Sequence, residues 1–245
     1  MNSHDVVRLL FDERPAFHGQ GDGGHNWGLS PDVLEWLAET IHRDDRTFET
    51  GCGYSTMVFA AAGAKHTAIS PFSEEHQRIA AWAKNHGIAS DNVDFIASRS
   101  EETLPHLPAI PLRIALIDGW HAFPGPYLDW FYLAPRLDVG GFLLVDDTQL
   151  PVCRILRDFL RAEEGRWRVH KTLGKTEIFQ KLSPDLFAGE WDTQPFGATP
   201  VIEFAEYFNA FFRNPIARAV KRIPGAKECV RALRHRMPSG QRDAK

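Results

Sequence analysis

Two clusters of residues in this chain have the types and spacing for chemistry. The first is Asp118-Gly119-Trp120-His121 taken with Asp146-Asp147. The carboxylates end two apolar runs, 114–117 and 141–145. Successive side chains of a strand face opposite ways, so Asp146 and Asp147 converge only where their strand has stopped. With Asp118 from a neighbouring strand they offer three hard oxygen ligands, a set suited to Mg2+ with water and a hydroxyl completing its shell. Such an ion lowers the pKa of the hydroxyl and orients it, which leaves His121, with Asp118, as the expected catalytic pair that takes its proton. Plainer readings stand beside this one: Asp118 as a strand-end cap, His121 as a structural histidine, and a site that works without metal.

The second cluster is Thr47-Phe48-Glu49-Thr50-Gly51-Cys52-Gly53-Tyr54-Ser55-Thr56. A short strand stops at a carboxylate and turns through two glycines into an Ala-rich helix, whose free N–H groups and dipole favour an anion. A dinucleotide loop wants a third glycine for close helix packing, but the third residue after Gly53 is Thr56. Glu49 would repel a pyrophosphate and suits a ligand carrying both an ammonium and a carboxylate. A glycine turn joining a buried strand to a buried helix is the plain alternative. The loop resembles motif I of the class I S-adenosylmethionine-dependent methyltransferases, and Gly53-Tyr54-Ser55 is similar to the loop of the catechol-type O-methyltransferases. That resemblance implies cofactor contacts from Glu49, Gly51, Gly53, Tyr54 and Ser55, around the methionine part of the cofactor.

The elements that must position these residues follow from periodicity. A first helix capped by Ser3 precedes a glycine-rich loop, 17–27, with His18, His25 and Trp27, readable as a lid or a slack connector. Ser30-Pro31 starts a helix to His42. After the glycine loop, strands at 66–70, 93–97, 113–118 and 141–146 alternate with helices at 73–86, 126–137 and 152–164, and a hairpin pairs 167–171 with 177–181. The third and fourth of those strands are continuous apolar runs, as parallel strands covered on both faces require. The expected fold is α/β, a doubly wound, mostly parallel seven-stranded sheet of order 3-2-1-4-5-7-6, with N-terminal helices and a C-terminal helical extension. Its antiparallel end is the Rossmann-like methyltransferase variant and argues against a dehydrogenase. The expected organisation is an N-terminal helix and loop (1–30), a methyltransferase domain (31–182) and an aromatic then basic extension (183–245).

In an open parallel sheet the ligand lies beyond the carboxyl ends of the strands. Those ends carry Glu49, Ser70, Ser98 to Glu101, Asp118 and Asp146-Asp147, acids at three of five positions. The pattern Asp118-Gly119-Trp120-His121, Asp129, Gly140-Gly141 and Asp146-Asp147 is similar to that of small-molecule O-methyltransferases related to the macrocin and cephalosporin-tailoring enzymes, over residues 30 to 182. Catechol-type enzymes bind Mg2+ with an aspartate at the place of Asp118 and an Asp-Asn pair at that of Asp146-Asp147, which implies a metal on Asp118, Asp146 and Asp147. The resemblance also implies cofactor contacts at Asp118 and, near the adenine, at Ser100 and Glu101, which equally form a helix start. The family's acid at the end of strand 2 is replaced by Ser70; that hydroxyl can accept a ribose hydroxyl, or Glu74 can swing in. Phe123 stands where relatives often have tyrosine.

The chain has 245 residues, 43% hydrophobic and 24% charged, with net charge −4. That is ordinary globular composition without a pull toward nucleic acid. Residues 213–245 differ: ten Lys or Arg face Glu228 and Asp243, a net +8 that leaves 1–212 at −12. This basic stretch reads as a solvated helix or as a weak contact for a membrane surface or acidic partner. Phe187, Trp191, Phe196, Phe204, Tyr207, Phe208, Phe211 and Phe212 suit docking, a homodimer interface or the acceptor pocket. Three widely spaced cysteines suggest a reducing compartment, and no signal-like or 18-residue apolar run occurs, so a cytoplasmic protein is expected. The residues together point to S-adenosylmethionine-dependent methyl transfer to a hydroxyl of a small molecule, a sugar or secondary metabolite, with no nucleic-acid partner. Two alternatives stay open. A protein or nucleic-acid methyltransferase is suggested by the basic stretch but opposed by the acidic body and the lack of an Asn-Pro-Pro-Tyr-type motif. A non-catalytic cofactor-binding module is the other.

Overall fold

A computed structural model describes residues 1–19, 28–186 and 193–198. The chain divides into two units, 1–196 and 197–245, and the second lies almost wholly outside the described residues. The basic stretch 213–245, the aromatics from Phe204 to Phe212 with Phe187 and Trp191, and His25 and Trp27 fall there or in the other undescribed segments.

The first unit begins with α1 (Ser3–Glu13) and α2 (Pro31–Thr40). The cap of α1 is Asn2, not Ser3: its side chain accepts from Asp5 N–H, while the Ser3 hydroxyl turns inward toward the Ala38 carbonyl. The sheet strands and their covering helices follow in strict alternation: β1 (Arg46–Thr50), α3 (Tyr54–Ala62), β2 (Lys65–Ile69), α4 (Ser73–Asn85), β3 (Val93–Ile96), α5 (Ser100–Thr103), β4 (Leu112–Ile117), α6 (Gly125–Leu133), β5 (Leu137–Val145) and α7 (Pro151–Ala162). The hairpin β6 (Trp167–Leu173) and β7 (Thr176–Lys181) closes the sheet, with β7 antiparallel to β5. The order is β3-β2-β1-β4-β5-β7-β6, as the sequence pattern anticipates. One boundary moves: α6 ends at Leu133, a single 3-10 turn follows, and β5 already starts at Leu137. The Pro135 ring clashes with a continuing α-helix and lacks the N–H the helix needs, which fits the switch to a tighter turn.

Alternation along the central strands sorts the core into two layers. Ile114, Leu116, Phe142 and Leu144 pack with Val33, Leu37, Met57, Phe59 and Ile79 on one face of the sheet. Ala115, Ile117, Leu143 and Val145 pack with Leu133, Leu156, Leu160 and Trp167 on the other. Every residue of these runs is apolar because both faces are covered. Val6, Val7 and Leu10 of α1 belong to the first layer, so residues 1–13 share the core of the sheet. The consequence for function is positional: β1, β4 and β5 lie side by side in register, and their carboxyl ends meet on one rim.

Candidate active site

On that rim lies a cavity of about 770 Å3, within the ~300–1,000 Å3 usual for small-molecule sites. Its two halves are built differently.

One half is made by the turn from β1 into α3. Gly51 has φ +87°, and a Cβ there would lie 2.4 Å from the Asp118 carbonyl oxygen, so only glycine lets the loop pass against the end of β4. Gly53 N–H donates to Thr56 Oγ1 at 2.9 Å, which fixes the first turn of α3. Tyr54 anchors that turn from below, its hydroxyl donating to the Pro15 carbonyl and its ring meeting Phe11 and Phe17 edge-on.

Opposite the loop, Glu75 of α4 brings a carboxylate to the end of β2. It accepts from Ser70 Oγ at 2.9 Å, from the Cys52 thiol at 3.8 Å, and lies 3.4 Å from His18 Nδ1. Burial raises its pKa, but the hydrogen bonds from His18 and Ser70 and the charges of His18 and Arg78 outweigh this and hold it below the usual range. Glu75 is therefore an anion at neutral pH, flanked by hydroxyl and imidazole donors.

The other half is the acidic rim. Asp118 N–H donates to the Thr50 carbonyl and Asp146 N–H to the Ile117 carbonyl, so both acids sit at strand ends held by the sheet ladder. Asp147 takes the left-handed conformation, φ +52°. That backbone turn costs on the order of 1 kcal/mol for a non-glycine residue and is what brings two consecutive carboxylates toward one cavity. His121 Nε2 is 3.5 Å from Asp118 Oδ1 and 3.5 Å from Asp147 Oδ2. Burial alone would lower the imidazole's pKa, but the contact with Asp118 and the charges of Asp118, Asp147 and Asp146 outweigh it and raise it above 6.5. Burial likewise pushes Asp118 up to about 7, and the nearby Asp146 charge adds to that while His121 opposes it. The couple thus holds and releases a proton near neutrality, the property a general base needs.

A fifth charged group completes the rim. Lys175 Nζ is 2.9 Å from Asp146 Oδ2 and 2.8 Å from Asp147 Oδ1. Asp146 Oδ1 accepts from the Thr176 hydroxyl, and Asp147 Oδ1 also from Gln149 Nε2. The three-carboxylate divalent site expected from the sequence does not fit this arrangement. Asp146 Oδ1 is taken by the Thr176 hydroxyl and Oδ2 faces the Lys175 ammonium, and the side chains whose ligand atoms come within 4.8 Å of one another are Asp118, His121 and Asp147, without Asp146.

Residues 48–148 match a sequence family described as Methyltransferase domain. That match runs from within β1 to just past the end of β5 and so takes in the glycine turn and the carboxylates of the acidic rim. The chain also aligns with a curated Streptomyces olivaceus protein, 8-demethyl-8-(2,3-dimethoxy-α-L-rhamnosyl)-tetracenomycin-C 4'-O-methyltransferase, at 26% identity over 101 residues, 41% of this chain and 37% of that one. The chain thus spans little more than a third of that relative. Among solved structures, a candidate O-methyltransferase from Klebsiella pneumoniae superposes with TM-score 0.57 at 16% identity, covering 73% of this chain and 90% of that one. The O-methyltransferase TomG from Streptomyces achromogenes, solved with S-adenosylmethionine and involved in tomaymycin synthesis, gives 0.53 at 16%, covering 74% and 89%. At such identities these structures establish the fold.

Within the matched segment most of the sequence-chosen residues face the cavity: Gly51, Gly53, Tyr54, Ser55, Ser70, Ser100, Glu101, Asp118, His121, Asp146 and Asp147. Glu49 does not. It is 1% exposed, and its carboxylate accepts from Ser55 Oγ at 2.6 Å and from the Thr56 hydroxyl, with His66 Nε2 at 3.1 Å. Its side chain faces the α3 side of β1, so it braces the glycine turn from behind instead of meeting a ligand. Asp129, part of the sequence pattern, is also buried; burial pushes its carboxyl up to about 6 against the pull of the Ser100 and Thr50 hydroxyls beside it.

Two residues were missed by sequence reasoning. Glu75, not Glu74, supplies the acid near the end of β2, and a signal existed: Glu75, Ile79, Trp82 and Ala83 share one face of α4, all buried, while Glu74 is exposed. Lys175 had no local signal. Antiparallel register makes it legible, since Val145 pairs with Glu177, which places Thr176 opposite Asp146 and Lys175 opposite Asp147.

Proposed function

We propose that this protein is an S-adenosylmethionine-dependent O-methyltransferase that methylates a hydroxyl of a small molecule, of the sugar or secondary-metabolite kind. The observation that carries the reading is the shared cavity: a glycine loop and an anionic Glu75 suited to the cofactor face the same space as a proton-accepting Asp118–His121 couple. The cavity fits the cofactor in chemistry. The N-terminal end of α3, with Gly53 and Ser55, suits its carboxylate, Glu75 with Ser70 suits its ribose hydroxyls, and Ser100 and Glu101 suit the adenine end. When bound, S-adenosylmethionine supplies an electrophilic methyl group on a sulfonium. His121 Nε2 accepts the proton of the acceptor hydroxyl, and Asp118 and Asp147, each 3.5 Å from that nitrogen, stabilise the charged imidazolium that results. A glycosylated acceptor is supported by the curated relative, whose named reaction is O-methylation of a rhamnosyl group. Cytoplasmic residence is part of the same reading, supported by free thiols at Cys52 and Cys153. Among the described residues no helix is long and apolar enough to cross a membrane. A homodimer through the aromatic stretch and a contact of 213–245 with an acidic surface rest on composition alone.

Calorimetric titration with S-adenosylmethionine, followed by transfer of a labelled methyl group to a panel of free and glycosylated hydroxyl acceptors, tests this. Saturable binding with label in an ether product is the expected result. Absence of cofactor binding would overturn the reading.

A further inference from the structure

The rim holds three carboxylates, Asp118, Asp146 and Asp147, and they must be compensated wherever they are shielded from water. Asp146 is 1% exposed, so it needs a permanent partner. Lys175 reaches it at 2.9 Å and reaches Asp147 at 2.8 Å, which puts one ammonium between two of the three carboxylates that the sequence offers to a divalent ion. The lysine is held there by its own backbone: its carbonyl accepts from Thr148 N–H at 2.9 Å and from the Thr148 hydroxyl at 2.7 Å. Those bonds tie the β6–β7 turn to the chain just after β5, so the position of Nζ is set by the sheet and not by a freely swinging side chain. The side chain keeps 39% exposure and lines the cavity. Of the ammonium's three N–H donors one bonds Asp147 Oδ1, and its charge faces Asp146 Oδ2, so an N–H is left for a ligand oxygen.

Charge counting points the same way. With His121 neutral and ready to accept a proton, Lys175 leaves the three carboxylates at a net charge of −2. A sulfonium cofactor adds one positive charge, which leaves the reacting site at −1. A divalent ion in addition would make it net positive while displacing or repelling Lys175.

Resting on the methyltransferase reading above, we propose that Lys175 is the resident cation of this site: it takes the place of a bound divalent metal, fixing Asp146 and Asp147 and presenting its remaining N–H to the acceptor oxygen, so that methyl transfer needs no added metal. The acceptor O–H gives its proton to His121 Nε2, the oxygen forms the new bond to the methyl carbon as the sulfur–carbon bond breaks, and the bond's electron pair stays on sulfur. Lys175 is a positioning residue that remains protonated throughout.

The test uses Mn2+ as a paramagnetic probe, read by its electron paramagnetic resonance signal, on wild type, Lys175→Met and Lys175→Arg. Thermal melts and calorimetry with S-adenosylmethionine serve as folding controls. Expected for wild type is no bound Mn2+ at millimolar metal, and kcat unchanged by EDTA or Mg2+. Lys175→Met should bind S-adenosylmethionine like wild type, lose about 10²-fold in kcat with little change in KM for the acceptor, and gain a bound Mn2+ signal as the freed carboxylates accept the ion. Lys175→Arg, which keeps the charge, should bind no Mn2+ and recover most of kcat. Stoichiometric Mn2+ on wild type, or Lys175→Met within twofold of wild-type kcat, would overturn the proposal. Should Lys175→Met fail to fold, the wild-type Mn2+ titration decides alone. That titration needs neither cofactor nor acceptor, so its outcome is separate from failure of the methyltransferase reading, which shows as absent cofactor binding.

Discussion

The two halves of the cavity are held in place by different means. In the glycine-loop half the bonds that shape the turn are short-range in sequence, since Ser55 and Thr56 bond Glu49 six and seven residues earlier, Gly53 bonds Thr56, and Ser70 bonds Glu75, while Tyr54 and Glu75 tie it to Pro15 and His18 farther off. In the acidic half they span the fold, with Lys175 and Thr176 reaching back 28 and 30 residues to Asp147 and Asp146. A site built from local contacts is carried by a single stretch of chain. One built from distant contacts exists only after the sheet has formed, because strand pairing must first bring the charges together and low local dielectric then makes each unpaired charge costly.

That contrast can be broken in four places, taken from the largest expected effect downward. His121→Ala removes the base from the acidic half alone. Expected is a fall in kcat of about 10² to 10⁴-fold with cofactor affinity unchanged, read by initial rates beside calorimetry. Gly51→Val strikes where the halves touch, since its Cβ would meet the Asp118 carbonyl at 2.4 Å in a backbone conformation that β-branched residues avoid. A loss of about 3 kcal/mol in unfolding free energy is expected, with cofactor binding lost; denaturant titration checks it, and a stable variant would show that the loop does not pack against β4 as described.

Glu75→Gln probes the glycine-loop half. Cofactor Kd should rise about tenfold, from loss of a charged acceptor, while kcat at saturation stays within twofold; equal losses in both would mean the two halves are not separable. Asp118→Asn gives the smallest effect. Asp118 in its anionic form raises the His121 pKa, so its neutral replacement must lower it. The acidic limb of the pH–rate profile then moves to lower pH, toward 6.5, and an upward shift would exclude His121 as the titrating base.

Much of this was legible beforehand because the physics involved is local or periodic. Apolar runs at 114–117 and 141–145 call for burial on both faces and so for a parallel sheet. Carboxylates at the ends of those runs sit on the ligand-binding rim of such a sheet, which places Asp118, Asp146 and Asp147 correctly without coordinates. Glu49 shows the limit of the same logic. Its place at the end of β1 was right, but the face it points to depends on α3, whose hydroxyls at Ser55 and Thr56 capture it. At the end of β2 the sequence offered Ser70 or Glu74, whereas the acid that bonds Ser70 is Glu75, one residue on and on the buried face of α4.

By itself, then, the sequence determined the succession of strands and helices through its alternating pattern, the glycine turn through residues that tolerate positive φ, and the rim on which the acids would gather, while the strand order came with the family resemblance. Which charge sits against which acid was decided only by the tertiary structure. Lys175 lies in a hairpin turn with no local feature to mark it, and it meets Asp146 and Asp147 solely because β7 runs antiparallel to β5 in the register that pairs Val145 with Glu177. A local pattern encodes burial and backbone shape residue by residue, whereas electrostatic pairing depends on distances between segments that only folding sets.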